Sequence, residues 1–287
     1  MSIDLHVHTR VSDGSMDMVQ IALLAKRLGL KGLGIANHDT VAGLDEALEV
    51  GRKHGINIIP GIEISAYDYQ RGRKAHILGF LMDNPALVGK ACQTTLEKRQ
   101  DNSRWIVEKL QAEGYPISWE LVEILAAGST NVYRQHIVHA LLETGYTPAF
   151  RGELYEKLFG KPKNGIPGGI VSREIEYMDV FEALNIVKKA GGIAVLAHPV
   201  GYNNQELIPE LINKGLDGLE VWHPSHNEKA VEELSALAEH YGLLQTGGSD
   251  FHGMYEGKEN PLGSRVMPEE WLERLLAYKR TRKVGQT

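Results

Sequence analysis

A single cysteine, Cys92, among 287 residues excludes an internal disulfide. It also leaves no thiol pair at metal-ligand spacing, so any metal must be held by other groups. Such a chain fits a reducing compartment, and cytoplasm is the expectation. Long apolar runs are missing too, and no stretch is apolar enough to cross a bilayer. The first apolar run, Ile3 to Val7, is interrupted by Asp4 and His6 and lacks the charged flank of a signal peptide. An excess of positive charge is the third absence. The net charge of −6 argues against sequence-independent affinity for nucleic acid, which is built from Lys and Arg facing phosphates. The basic run Lys279, Arg280, Arg282, Lys283 reads as a solvated tail. Neither a membrane nor an obligate protein partner is expected.

What is present is an alternation of short apolar runs with helix-period segments, the pattern of a parallel α/β fold. Ile3–Val7, Gly32–Ala36, Ile56–Ile59 and Ala75–Leu81 read as strands. Between them, Val19–Leu28 and the segment from Leu44 to Gly55 carry apolar residues at helical spacing, with Gly29 and Gly55 as stops. After Asp83 the rhythm breaks into helices and loops for roughly eighty residues. From about Ser172 it returns, with a helix over Val180–Ala190, strands at Ile193–Ala197, Gly218–Val221 and Leu243–Thr246, and a helix before the last of these. The chain therefore divides into one α/β domain, residues 1–83 and 166–287, carrying a helical insertion at 84–165.

Twelve histidines are present, and most of them, with several acids, fall at the downstream end of a strand candidate. His6 and His8 lie one residue apart, so on a strand both point to one face. His38 and Asp39 follow the second strand, Glu63 the third, and His76 lies on the fourth. His198 ends the fifth, His223 and His226 follow the sixth, and Asp250 and His252 follow the seventh. Closing the strands into a barrel would gather these groups at one mouth, where barrel enzymes keep their chemistry. Imidazole and carboxylate without thiolate suit Zn²⁺, Mn²⁺ or Fe²⁺.

In His6-Val7-His8-Thr9 with Ser12-Asp13-Gly14, and in Asn37-His38-Asp39-Thr40, the sequence resembles the first two motifs of the PHP (polymerase and histidinol phosphatase) phosphoesterases. Gly61-Ile62-Glu63-Ile64, His76-Ile77-Leu78-Gly79, Ala197-His198-Pro199 and Gly248-Ser249-Asp250-Phe251-His252 match the later motifs in type and order. One departure is Asn37, where the family usually has aspartate. The resemblance implies a distorted seven-stranded β/α barrel and two to three divalent ions. By similarity, His6, His8, Glu63 and Asp250 hold the first ion. Glu63 bridges to a second, held also by His76 and His198, while Asp13, His38 and His252 hold a third. Asp13 owes its place mainly to the resemblance, since Asp-Gly alone is an ordinary turn.

Clustered ions suit phosphate esters because they neutralise the charge on the equatorial oxygens and activate a bound water, here a hydroxide bridging two ions. Arg134 and His136 resemble a substrate-gripping pair of nucleotide-hydrolysing members, and arginine can bind phosphate bidentately. His223, His226 and Asp39 compete as proton donors to the leaving oxygen. The expected substrate is small and phosphorylated: a nucleoside 5′- or 3′,5′-phosphate or the 5′ end of a short RNA. Cyclic ribose phosphates and histidinol phosphate are the alternatives within the family. An amidohydrolase, which also opens with His-x-His, and a non-catalytic module are alternatives of other classes. Asp13, His38 and the Asp250/His252 pair favour phosphate chemistry over the amidohydrolase.

Overall fold

A computed structural model describes residues 2–160, 168–255 and 260–284, with 282–284 described by backbone alone. The elements run β1 (Ser2–Val7), α1 (Met18–Arg27), β2 (Gly32–Ile35), α2 (Leu44–His54), β3 (Asn57–Ile64), β4 (Ala66–Asp68), β5 (Arg73–Lys74) and β6 (Ile77–Phe80). Helices α3 (Pro85–Ala112), α4 (Trp119–Leu125), α5 (Arg134–Glu143) and α6 (Glu153–Phe159) follow. The chain returns through β7 (Met178–Asp179), α7 (Val180–Lys189), β8 (Ile193–Leu196), α8 (Ile208–Asn213), β9 (Gly218–Trp222), α9 (Glu228–Tyr241), β10 (Leu244–Gly247), β11 (Met267–Pro268) and α10 (Glu269–Val284).

The main sheet has the order β10-β9-β8-β6-β3-β2-β1-β11. Seven strands match the expected seven, and the two-residue β11 is added antiparallel to β1. Past β10, Phe251 bridges Val7 at the end of β1, which brings the two ends of the row together as a nearly closed barrel. Ile3, Leu5, Ile59, Leu78, Phe80, Val195 and Leu244 come from strands on opposite sides of the row and pack as one cluster, so they fill its interior. Trp271, Leu272 and Leu275 of α10 complete that cluster. The basic run thus begins on α10 and not in a free tail. Lys279 is buried on α10, where it donates to the Asp83 carboxylate at 2.6 Å. Arg280 is exposed, and the side chains of Arg282 and Lys283 lie outside the described residues.

Two strands depart from expectation, one in direction and one in length. β6 runs antiparallel to both β3 and β8, because the chain reaches it through the short β4–β5 hairpin rather than through a helix. Its first residues, not its last, therefore sit at the mouth, and His76 immediately precedes them. β3 extends past the expected Ile59, so Glu63 lies inside it rather than after it. Pro60 and Gly61 look like a strand end in sequence. Here Pro60 needs only its carbonyl, which accepts from the Leu81 amide at 2.9 Å. At Gly61 a Cβ would stand 2.7 Å from the Phe80 ring, so only glycine permits this approach.

The helices between β6 and β7 bury their own cluster, including Ile106, Leu110, Val122, Ile137, Leu141 and Leu158. The expected boundary at 165/166 lies outside the described residues. Among the described residues no helix is long and apolar enough to cross a membrane.

Candidate metal centre and cavity

The pairing of β1 with β2 shifts register between Asp4 and Val7, where the strand passes from the apolar pair Ile3 and Leu5 to the pair His6 and His8. Their rings lie 5.2 Å apart, as expected for one face. Asp4 fixes this strand against the last motif, its carboxylate accepting from the Ser249 amide at 2.9 Å and the Gly263 amide at 2.8 Å. Gly248 makes the approach possible. A Cβ there would stand 2.3 Å from the His6 nitrogen and 2.4 Å from the His6 Cβ.

Glu63 is the centre of the cluster. Its Oε2 lies 3.2 Å from His6 Nε2, 3.3 Å from His8 Nε2 and 3.2 Å from His38 Nδ1. Its Oε1 lies 2.7 Å from His76 Nδ1 and 2.9 Å from His198 Nε2. Asp250 Oδ1 stands 3.1 Å from His8 Nε2 and 3.5 Å from His6 Nε2. On the other side of His8, Asp13 approaches His252 at 3.4 Å and His38 at 3.9 Å. Donor atoms of His6, His8, Glu63 and Asp250 lie within 4.8 Å of one another, and so do those of His8, Asp13, His38 and His252. The same holds for His38, Glu63 and His76, and for His6, His198 and Glu220.

This set fits divalent ions on its own chemistry. His6 Nε2, both ring nitrogens of His8, His223 Nε2 and Asp250 Oδ1 are buried without a hydrogen-bond partner, a costly arrangement that a cation between them would resolve. Burial pushes the Glu63, Asp13 and Asp250 carboxyls up. Facing imidazoles outweigh it and hold all three well below the usual carboxylate range. All three carboxyls are therefore ionised at neutral pH. Three residues around it, Asp39, His198 and Asp250, have positive φ angles of 57°, 27° and 54°, unusual for residues with a Cβ and concentrated where the loops leave the strands.

Asn37 is not in any of these groups. Its Oδ1 accepts from the Thr9 amide at 2.8 Å and from Ser12 Oγ at 3.0 Å, clamping the loop that carries Asp13. A neutral amide serves there without adding charge.

A cavity of about 410 Å³ opens onto the cluster. Asp13, His38, His76, Asp250 and His252 line it together with Lys74, Arg99, Arg134 and Arg151. Arg134 thus reaches the cavity as expected, but His136 does not line it. That histidine is buried at the start of α5, where its Nδ1 accepts from the Tyr133 amide at 3.1 Å, and burial holds it down to about 4. His223 stands beside the cluster, its Nε2 3.6 Å from Asp250 Oδ2. His226 packs behind it with ring centroids 5.4 Å apart and bonds the Val221 carbonyl. Asp39 is buried outside the cavity, one oxygen accepting from the Ser65 amide at 2.8 Å and the other from Arg99 at 2.6 Å.

Residues 4–159, more than half of the chain, match the PHP domain family. The chain belongs to the PHP family. One relative, a phosphoribosyl 1,2-cyclic phosphate 1,2-diphosphodiesterase of Eggerthella lenta, is 42% identical over 92% of this chain and 98% of its own length. A 5′-3′ exoribonuclease of Haemophilus influenzae is 30% identical over 92% of this chain and 96% of its own. A solved structure from Bifidobacterium adolescentis, named by inference as a metal-dependent phosphoesterase, superposes with a TM-score of 0.84 at 31% identity, covering 96% of this chain and 95% of that one. This PHP protein is a metal-dependent phosphoesterase.

Sequence reasoning missed Lys74 and Arg151 in the cavity lining, and beside the cluster it also missed Glu220 and Arg99. Glu220 is buried on β9, 2.9 Å from His6 Nδ1, and accepts from the His198 amide at 2.8 Å. Its signal was an acid within the apolar run Leu219-Glu220-Val221, which a sheet interior tolerates only with partners. Arg99, on α3, carried no signal, because only the docking of the insertion brings it to Asp39.

Proposed function

We propose that this enzyme hydrolyses a ribosyl phosphate ester that carries a second anionic group, with a phosphoribosyl cyclic phosphate as the leading substrate. The observation that carries this reading is the shared cavity, where ligand-type side chains and four basic side chains line one space of about 410 Å³. A reacting phosphate at the cluster then leaves basic groups over for a second one. The 42% relative, named for a phosphoribosyl cyclic phosphate, supports that choice. The 30% exoribonuclease relative supports the nucleotide reading, a nucleoside bisphosphate or the 5′ end of short RNA. Both readings share a ribosyl phosphate.

Two to three ions, drawn from Mn²⁺, Zn²⁺ and Fe²⁺, complete the site in this reading. His6, His8, Glu63 and Asp250 would hold one, Glu63, His76 and His198 a second, and Asp13, His38 and His252 a third. When bound, such ions supply charge neutralisation and an activated water. The chain's own groups do the rest. Glu220 fixes the tautomer and direction of His6 through Nδ1, leaving Nε2 for coordination. Arg134 offers a planar, permanently charged grip on phosphate. Among the three proton-transfer candidates, His223 is favoured because its Nε2 lies 3.6 Å from Asp250, which lines the cavity, whereas His226 packs behind it and Asp39 is tied to Arg99. His226 supports that ring, and His136 caps a helix. Residues 84–165 act as the recognition subdomain, since Arg99, Arg134 and Arg151 all come from it. The reducing-compartment composition supports a cytoplasmic location.

The test is hydrolysis of a panel followed by ³¹P NMR: phosphoribosyl 1,2-cyclic phosphate, a nucleoside 3′,5′-bisphosphate, a 5′-phosphorylated trinucleotide RNA and histidinol phosphate, with Mn²⁺ and with chelator. Preferred, chelator-sensitive opening of the cyclic ester is expected. A preference for the nucleotides moves the substrate to the second reading, and a preference for histidinol phosphate, or turnover of none of the four, would contradict both.

A further inference from the structure

Arg99 belongs to none of the motifs, yet it is held from several sides beside the cluster. Its Nη2 donates to Asp39 Oδ2 at 2.6 Å and to Ser65 Oγ at 3.1 Å, and its guanidinium carbon stands 4.9 Å over the Tyr133 ring. Tyr133 in turn donates to the His38 carbonyl at 3.1 Å, and Ser65 Oγ lies 3.4 Å from His38 Nδ1. The guanidinium is thus built into the same scaffold as His38. Nε is sealed in protein, which leaves Nη1 as the one nitrogen neither sealed in protein nor paired with a protein group, on a side chain that lines the cavity. Ser65 lines it as well. Asp39 does not, and both of its oxygens are committed, one to the Ser65 amide and one to Arg99.

An ion pair buried this deeply is a poor source of stability, because desolvation offsets most of the attraction. A guanidinium locked in place beside a metal-type cluster is, by contrast, a good source of selectivity for an oxyanion: it is already oriented and costs little to order. We propose that Arg99, with the Ser65 hydroxyl, binds an oxygen of the phosphoryl group undergoing hydrolysis, and that Asp39 is the positioning residue for Arg99 and not a proton donor. This rests on the phosphate-ester reading above. The class of ligand is a phosphate monoanion or dianion, whatever alcohol it esterifies.

The test uses the full-length, metal-loaded enzyme with inorganic phosphate as the probe. Inhibition constants for phosphate, kcat and KM for the best ester of the panel, and metal content are measured for Arg99→Met, Asp39→Asn and the double variant. Losing one charge-assisted contact raises the phosphate inhibition constant and KM by about 10- to 100-fold, with metal content unchanged. Asp39→Asn shifts both in the same direction, and the double variant is no weaker than Arg99→Met alone, because Asp39 acts through Arg99. Arg99→Met leaves a buried carboxylate without its cation, so the double variant, which is neutral, serves as the folding control. Unchanged phosphate inhibition in variants with normal metal content overturns the proposal, as does loss of fold in both Arg99→Met and the double variant. So does a kcat loss in Asp39→Asn with KM and phosphate inhibition unmoved, the signature of a lost proton donor. Failure of the wild type to hydrolyse any ester or bind phosphate would instead sink the phosphate-ester reading itself.

Discussion

Replacing Glu63 by glutamine keeps the shape of the side chain and removes one charge from the centre of the cluster. The carboxylate stands within 3.3 Å of five imidazole nitrogens, on His6, His8, His38, His76 and His198. It also belongs to two of the four ligand-type groups. Residues that only orient a ligand cost about 10- to 100-fold in metal affinity when lost. A ligand shared by two positions therefore costs at least that much at each, about 3 kcal/mol or more in total. Glu63→Gln should retain its fold, lose one or two ions on desalting, and hydrolyse phosphate esters about 10³-fold more slowly or worse at limiting metal. Elemental analysis of desalted protein, a Mn²⁺ titration of activity and a circular dichroism spectrum make up the assay. Wild-type metal content with near-normal turnover would show that Glu63 bridges nothing and would refute the reasoning.

Glu220→Gln weakens the orientation of His6, so a loss of about 10- to 100-fold in metal affinity or activity is expected, milder than for Glu63→Gln; equal losses would place Glu220 among the ligands. Gly248→Ala forces a Cβ against His6, and destabilisation of about 1–3 kcal/mol with loss of metal should show in thermal melts and elemental analysis. Metal removal by a chelator should lower Tm by about 5–10 °C, since a site at a hundred times its Kd contributes about 2.7 kcal/mol; an unchanged melt would argue against bound ions. His136 is held down to about 4 by burial, so the unfolded state takes its proton first as pH falls from about 6.5 to 4. Stability is lost progressively across that window, and His136→Gln, which keeps a cap acceptor, should lose less between pH 7 and pH 5 in denaturant titrations.

The cluster was legible in sequence because its geometry rides on strand ends. Once His6 and His8 alternate on one strand and other ligand-type residues end theirs, a barrel must bring them together, and His38, Glu63, His198 and Asp250 meet as expected. His76 meets them for a different reason, since β6 runs antiparallel and presents its start at the mouth. Helix limits set by glycine, such as Gly55 in the left-handed region at φ 73°, were equally plain. Strand β3 was read too short because Pro60 and Gly61 are turn residues in isolation, and only tertiary pairing shows that they need no further hydrogen bond or side-chain room. Lys279 was misread because a basic run looks solvated until Asp83, far away in sequence, supplies its partner. Arg99 and Asp39 were illegible for the same reason: sixty residues separate them, and a helix docking against the barrel leaves no periodic signal.

The central claim is that the clustered imidazoles and carboxylates hold ions that hydrolyse a phosphate ester. Its most direct test is elemental analysis of the purified protein combined with ester hydrolysis before and after chelation and Mn²⁺ restoration. Two to three ions per chain, activity lost on chelation and regained with Mn²⁺, is the expected result. Full activity in protein stripped of metal would contradict it.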